Sequence, residues 1–304
     1  MTRLVDLVAP PTRLAAFRIW SGAFAVGYLL VRLPYWLDVI DLERDRWAPL
    51  GVLAPLDGPP ARAVARLLLI ATFVAGAAFV TGWRYRWSGP AFALLLLGTL
   101  TFRNSWGHLF HTDQLLALHV LVLGLAPAAD RWSLDARKLQ RAGASLPDEP
   151  AVGYGWPLRL AGIVTVLTYV VTGIAKLRYA GADWLGGDTL LHQVAFDNAR
   201  KVVLGDPQAP LASAFVGHPA LFRPMGLLTL VVELGAPVAL LGRRWAAGWA
   251  AAAWTFHIGI LLLMAIGFPY PLSLVAFAPL LACERPIEWV LGRARPALRS
   301  QPCT

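Results

Sequence analysis

Apolar residues run along this chain in long blocks divided by short polar and basic stretches, without strict alternation and without a one-sided helical stripe. Blocks of that kind predict helices that are apolar all round, and about 20 such residues carry a helix across a bilayer core. They fall at about 14–39, 63–81, 90–100, 115–128, 157–175, 227–241, 245–266 and 272–283. This pattern predicts an all-α polytopic membrane protein of about eight transmembrane helices, a single membrane domain over 1–304 with no soluble domain. The blocks at 90–100 and 272–283 are short, and Gly267, Pro269 and Pro271 break the chain sharply before the last one. The segment 176–223 is mostly polar, with apolar patches at 185–196 and 209–216 that read as interfacial or re-entrant helices. The first block ends in Arg32 without a small-residue cleavage site, so it reads as a retained span and not a cleaved signal.

Composition supports this picture. Hydrophobic residues make up 57% of the chain and charged residues 15%, with a mean hydropathy of +0.57; soluble domains carry about 25% charged residues. The formal charge of +9 raises nucleic acid as a partner. The lysines and arginines are scattered between apolar blocks and form no patch, so topology explains them and nucleic acid is excluded. With an even number of spans both termini share a side. That side holds more basic residues, among them Arg84, Arg86, Arg131, Arg137, Lys138, Arg141, Arg243 and Arg244, than the side of Arg44, Arg46, Lys176, Arg178, Arg200 and Lys201. The bias places a multi-pass protein in the cell membrane with both termini cytoplasmic. The run TFRNSWGHLFHTDQ (101–114), the segment after Lys176 and the break at 267–271 then share the outer face. The two cysteines, Cys283 and Cys303, form neither a disulfide framework nor a soft-metal site.

Ionisable groups at membrane depth are expensive and are functional candidates by default. Glu233 falls in the middle of VVELGAP and His257 in the middle of AWTFHIGI, near the midplane of adjacent spans where they could pair. His119 lies among leucines, with His108, His111 and Asp113 at the mouth of its span, and Lys176 ends the span 157–175. Each also has a structural reading. Lys176 can snorkel, His119 can bond a neighbouring helix, a Glu233–His257 pair can be glue, and Trp106 and Trp184 can belong to the interfacial belt. Arg103, Asn104 and Asp113 read equally as a solvated mouth. His108, His111 and Asp113 form at most part of a metal site, since neither H-E-x-x-H nor a thiolate accompanies them, and no metal is expected. A lysine in an apolar pocket is a plausible base, because desolvation disfavours its ammonium form, and a membrane hydroquinone is a fitting weak acid.

Four stretches resemble one family. They are NSWGHLFHTDQLLALHVLVLGLAPAADRWSLD (104–135), ending in W-S-x-D; GIAKLRYAGADWLGGDTL (173–190), with K-L, D-W and a glycine; VELGAPVALL (232–241); and FHIGILLLMAIGFPYPLSLVAFAPLL (256–281), with F-H and I-G-x-F-P-Y. In this order they resemble the HTTM family, the horizontally transferred transmembrane domain related to the membrane part of vitamin K-dependent gamma-carboxylase. The resemblance implies a quinol-dependent oxidase or carboxylase of the lyase type, with Lys176 as the base acting on reduced vitamin K or menaquinol and His111 assisting it. It implies a cofactor pocket shaped by His257, Glu233, His108 and Trp184 on the outer side of the membrane. Oxygen and carbon dioxide would be co-substrates, and membrane lipid, quinone and a peptide or protein substrate the partners. The loop LRYAGADW departs from the family pattern by extra residues between K-L and D-W. The competing expectation is a non-enzymatic membrane protein: a transporter, or a maturation or immunity partner of a secreted peptide.

Overall fold

In the computed structural model, residues 8–107 and 109–292 are described, with His111 by its backbone alone. The fold is all-α; among the described residues there is no strand, only an isolated antiparallel bridge between Ala9 and Ala151. Five stretches are long and apolar enough to cross a membrane: Pro11–Val31, Arg62–Thr81, Val152–Tyr179, Pro219–Leu240 and Arg243–Met264. Large apolar side chains point outward from all of these, among them Val74, Val171 and Leu228, as a lipid-facing surface requires.

The elements follow from local chemistry. α1 (Pro11–Val31) starts with proline in its first turn and stops at Arg32, because Pro34 cannot donate to the preceding turn; α2 (Leu33–Ile40) restarts beyond the break. The single span expected at 14–39 is therefore two helices. α3 (Arg62–Thr81) ends at Gly82, whose φ of 64° lets the Trp83 N–H close the last turn on Ala78 O at 2.9 Å. A side chain at Gly82 would also strike Ser133 and the Arg18 guanidinium. α4 (Tyr85–Asn104) and α5 (His111–Gly124) follow. α4 has 20 residues, longer than the block 90–100, because polar and aromatic residues extend it at both ends. α5 has 14 residues, about 21 Å, short of the ~30 Å apolar core.

α6 (Leu134–Arg141) is amphipathic, and α7 (Val152–Tyr179) is the longest helix. The segment 176–223 is largely helical, forming α8 (Ala182–Gly186), α9 (Asp188–Leu204) and α10 (Ala212–Val216) beyond the end of α7. α11 (Phe222–Leu234) passes into a 3-10 segment, Ala236–Leu240, where Pro237 lacks the N–H that an α-helix would direct to Glu233 O. α12 (Arg243–Met264), α13 (Pro269–Leu272), a 3-10 segment at Val275–Leu280 and α14 (Arg285–Val290) complete the chain. The stretch expected as a last span, 272–283, is thus a helical end and a proline-bearing 3-10 segment.

Two apolar cores result. One gathers α1, α3, α4 and α5; the other gathers Val166, Tyr169, Trp249, Ala253 and Phe277 from α7, α12 and the 3-10 segment at 275–280. α7 contributes to both. The first core is pinned at one end by a polar knot. Buried Arg18 donates to Ala128 O at 2.8 Å and Trp132 O at 2.6 Å, satisfying carbonyls beyond the end of α5. Ser133 caps α6 by accepting from Ala136 N at 2.8 Å. Asp135 reaches the start of α4, accepting from Arg84 N at 2.9 Å and Tyr85 N at 2.7 Å. The W-S-x-D signature is therefore a double helix cap. Asp135→Ala removes both acceptors from the α4 N-terminus and should lower stability by about 1–2 kcal/mol, read as a lowered melting temperature in detergent, while Asp135→Asn should recover part of the loss.

Candidate functional site

Lys176 lies in the last turn of α7, seven residues beyond Tyr169 and four beyond Thr172, so all three share one helix face. That face meets α11 and α12. The Lys176 ammonium donates a hydrogen bond to Glu233 Oε1, and the two form an ion pair in which Glu233 is buried and Lys176 only 17% exposed. The ammonium lies 5.1 Å from the centroid of the Trp184 ring, within cation–π range. Trp184 is itself held in place, its Nε1 donating to Gly226 O at 3.2 Å and Thr229 Oγ1 at 3.1 Å. Lys176 is thus turned inward and does not snorkel. Its close approach to α11 depends on Gly173, one turn earlier, where a side chain would come within 2.8 Å of Leu234 and 3.1 Å of Glu233 Cβ.

His257 hydrogen bonds through Nε2 to the Tyr169 hydroxyl at 2.7 Å. Glu233 and His257 therefore do not pair with each other, although neighbouring midplane positions allow it; each is held by a different residue of α7. Both nevertheless line one cavity of about 270 Å³, together with Lys176, Tyr169, Thr168 and Thr172. Glu233 Oε2 and His257 Nδ1 are buried and have no hydrogen-bond partner among the described residues. Six other buried polar atoms, four of them tryptophan Nε1, also have no partner among the described residues, so what marks Glu233 and His257 is that their two orphaned atoms belong to side chains lining one cavity.

A second cavity of about 640 Å³ adjoins the first, sharing Lys176, Phe256, Ile260 and Phe268 with it. Its walls come from α9, α11 and α12 and are nearly all apolar, including Leu190, Val194, Met225, Leu228 and Leu263. α9 and the segment after it are fastened by polar bonds to the end of α12. Asn198 Nδ2 donates to Leu263 O at 2.9 Å, the Lys201 ammonium donates to Met264 O, and Leu211 N donates to Leu262 O at 3.1 Å. These bonds satisfy the carbonyls left open at the C-terminus of α12. Asp197 beside them is pushed up by burial, but hydrogen bonds from Lys201 and Arg200 outweigh this and hold its carboxyl below its ordinary range.

The remaining sequence candidates divide. His111 opens α5 immediately before Thr112, which lines the small cavity; the His111 side chain and His108 lie outside the described residues. His119 is fully buried and satisfied away from the cavity, by the Tyr270 hydroxyl at 2.8 Å and Thr165 Oγ1 at 3.0 Å, so it has the structural role. Arg103 and Asp113 are not a solvated mouth. They form a buried ion pair, with the Tyr28 hydroxyl accepting from Arg103 at 3.0 Å and donating to Asp113 at 3.2 Å. Asn104 accepts from Phe110 N at 3.2 Å. Tyr169, Thr168 and Thr172 were missed in the sequence, although their spacing from Lys176 places them on its face. Asn198 left no signal, because its role depends on α9 folding back onto α12.

Comparison with models of protein families, with curated proteins and with solved structures gives no match. The functional reading therefore stands on the geometry of this site. Among the ion pairs, Arg103–Asp113 should be structural. Asp113→Ala leaves a buried guanidinium unpaired and should cost about 3–5 kcal/mol, whereas Arg103→Met with Asp113→Leu should recover most of it; thermal unfolding of the single and double variants checks this.

Proposed function

We propose that this protein is a membrane enzyme acting on a quinol-class amphiphile, reduced vitamin K or menaquinol, whose ring head enters the small cavity and whose apolar tail lies in the larger one. The observation that carries this reading is that Lys176, paired with Glu233, lines both a small cavity holding several polar side chains and the adjoining apolar groove. Pockets for amphiphilic cofactors combine mostly apolar walls with a few convergent polar groups. A quinol supplies the matching parts: a long apolar tail, a flat ring and weakly acidic hydroxyls. The pair takes the hydroxyl proton, and the ammonium stabilises the negative charge that develops on oxygen. The apolar groove is lined by residues such as Leu228 that are exposed on the outer surface of the helices, so a quinol can enter it laterally from lipid.

The transporter alternative calls for a cavity that continues through the protein. The packing of Tyr169, Trp249 and Phe277 against one another beside the small cavity supports a closed pocket instead. The proposal agrees with the carboxylase-like resemblance in its use of Lys176 and a quinol. Transfer of carbon dioxide to a peptide lies beyond it.

The test is aerobic consumption of menaquinol by purified protein in nanodiscs. Lys176→Ala should slow it by about 10²–10⁴-fold, the range for loss of a positioned acid–base group. Consumption at the wild-type rate in this variant overturns the proposal.

A further inference from the structure

Resting on the quinol reading, we infer that the proton leaving the quinol hydroxyl ends on Glu233, with Lys176 as the fixed ammonium beside it and His257 as the donor that holds the oxygen left behind. Three observations carry this. First, Lys176 and Glu233 Oε1 form a hydrogen-bonded pair; we take it as ammonium and carboxylate, in which the basic group is the carboxylate. Second, the other oxygen, Oε2, is buried and unpartnered among the described residues, on a side chain that lines the small cavity. Third, the Tyr169 hydroxyl has His257 Nε2 as its hydrogen-bond partner at 2.7 Å. A tyrosine hydroxyl carries one hydrogen; we assign it to Nε2, which makes that nitrogen the bare one and puts the imidazole hydrogen on Nδ1. Nδ1 is the unpartnered atom of His257.

On this assignment the side chains lining the cavity carry one acceptor and one donor without a partner among the described residues. We infer that one hydroxyl serves both, donating to Glu233 Oε2 and accepting from His257 Nδ1. In the transfer, the quinol O–H bond breaks and an Oε2–H bond forms, while the electron pair stays on the quinol oxygen. Nothing is oxidised or reduced. The negative charge moves from the carboxylate to the quinolate within the field of one ammonium, so the net charge of the pocket is unchanged. Had Lys176 first lost its proton to Glu233 and then taken the quinol's, the final state would be the same: ammonium, carboxylic acid and quinolate. A direct transfer reaches it without an uncharged lysine intermediate. Among the described residues, the titratable groups that line the cavity with Glu233 are Lys176, Tyr169 and His257, and α5 contributes Thr112 and Leu115, which do not titrate.

The experiment is anaerobic binding of menaquinol-4 to the full chain in nanodiscs, followed by absorption for the quinolate and by infrared difference spectroscopy for a carboxylic-acid C=O stretch. In the wild type both signals should appear together. Glu233→Gln should still bind menaquinol-4 but lose both, and Glu233→Asp should restore quinolate in part and shift the C=O stretch. Quinolate in the wild type without a carboxylic-acid stretch overturns the inference, as does quinolate retained in Glu233→Gln, where Lys176 is the base that remains. Bound menaquinol-4 with no quinolate in the wild type also overturns it while leaving the quinol site standing. Failure of the wild type to bind menaquinol-4 overturns the quinol reading itself. Because the first comparison uses only wild-type protein, it decides the question even where Glu233→Gln does not fold.

Discussion

A charge placed among apolar helices needs an opposite charge or a set of dipoles within reach, and in this protein the Lys176–Glu233 pair is where that constraint is strongest. Neither partner is tolerable alone at that depth, since removing one member of a buried pair leaves an uncompensated ion. The pair therefore fixes the register of α7 against α11. Gly173 permits the approach, and Pro237 ends the regular helix one turn past Glu233. His257 is then set by Tyr169, two turns before Lys176 on the same face of α7. Glu233 and His257 both take their position from α7.

The same constraint is met differently elsewhere, and the contrast separates site from scaffold. Arg18 is matched by backbone carbonyls, Arg103 by Asp113 and Tyr28, and Lys201 by Asp197 and the end of α12. These clusters tie helix ends or neighbouring helices together, and Arg18 Nε and Arg103 Nε are left without a partner among the described residues. At Lys176 one carboxylate oxygen and one imidazole nitrogen are likewise left over among the described residues. What sets them apart is that both belong to side chains lining one cavity, whereas neither Arg18 nor Arg103 lines it.

The long apolar blocks made the helical class legible, because a run such as 63–81 has no other stable solution in a membrane. Where hydropathy and backbone chemistry disagree, the blocks misled. At 14–39, Pro34 breaks one block into two helices. At 272–283, Pro279 and the turn after Leu272 hold the chain in a 3-10 segment that plugs the space between α1, α7 and α12. At 90–100 the polar flanks fold onto the helix as well, so the block was too short. The site was partly legible. Lys176, Glu233 and His257 stood out as costly residues in apolar surroundings, and all three line one cavity. Their partners did not follow, since depth alone suggested Glu233 with His257, while the rotation of α7 gives each of them a different neighbour. Trp184 could be read from sequence as belt or platform; its buried ring against Lys176 needed α8 to turn back towards α11.

Electrostatic bookkeeping also narrows what the open cavity accepts. The ion pair is neutral as a unit, and the surrounding walls are apolar, so an incoming ion of either sign would add an uncompensated charge to a weakly screened space. A neutral ligand avoids that penalty, and one with an acidic hydroxyl can still generate an anion there, because the proton it gives up neutralises the carboxylate in the same step. Charge is then relocated within the pocket and not created. The apolar groove adds the second condition, that the neutral ligand carry a tail long enough to occupy it. A hydroxylated ring on an isoprenoid chain meets both conditions. An inorganic ion meets neither, and a free amino acid or a nucleotide lacks the tail, which is the physical ground on which a membrane quinol is proposed over the solutes that a transporter would move.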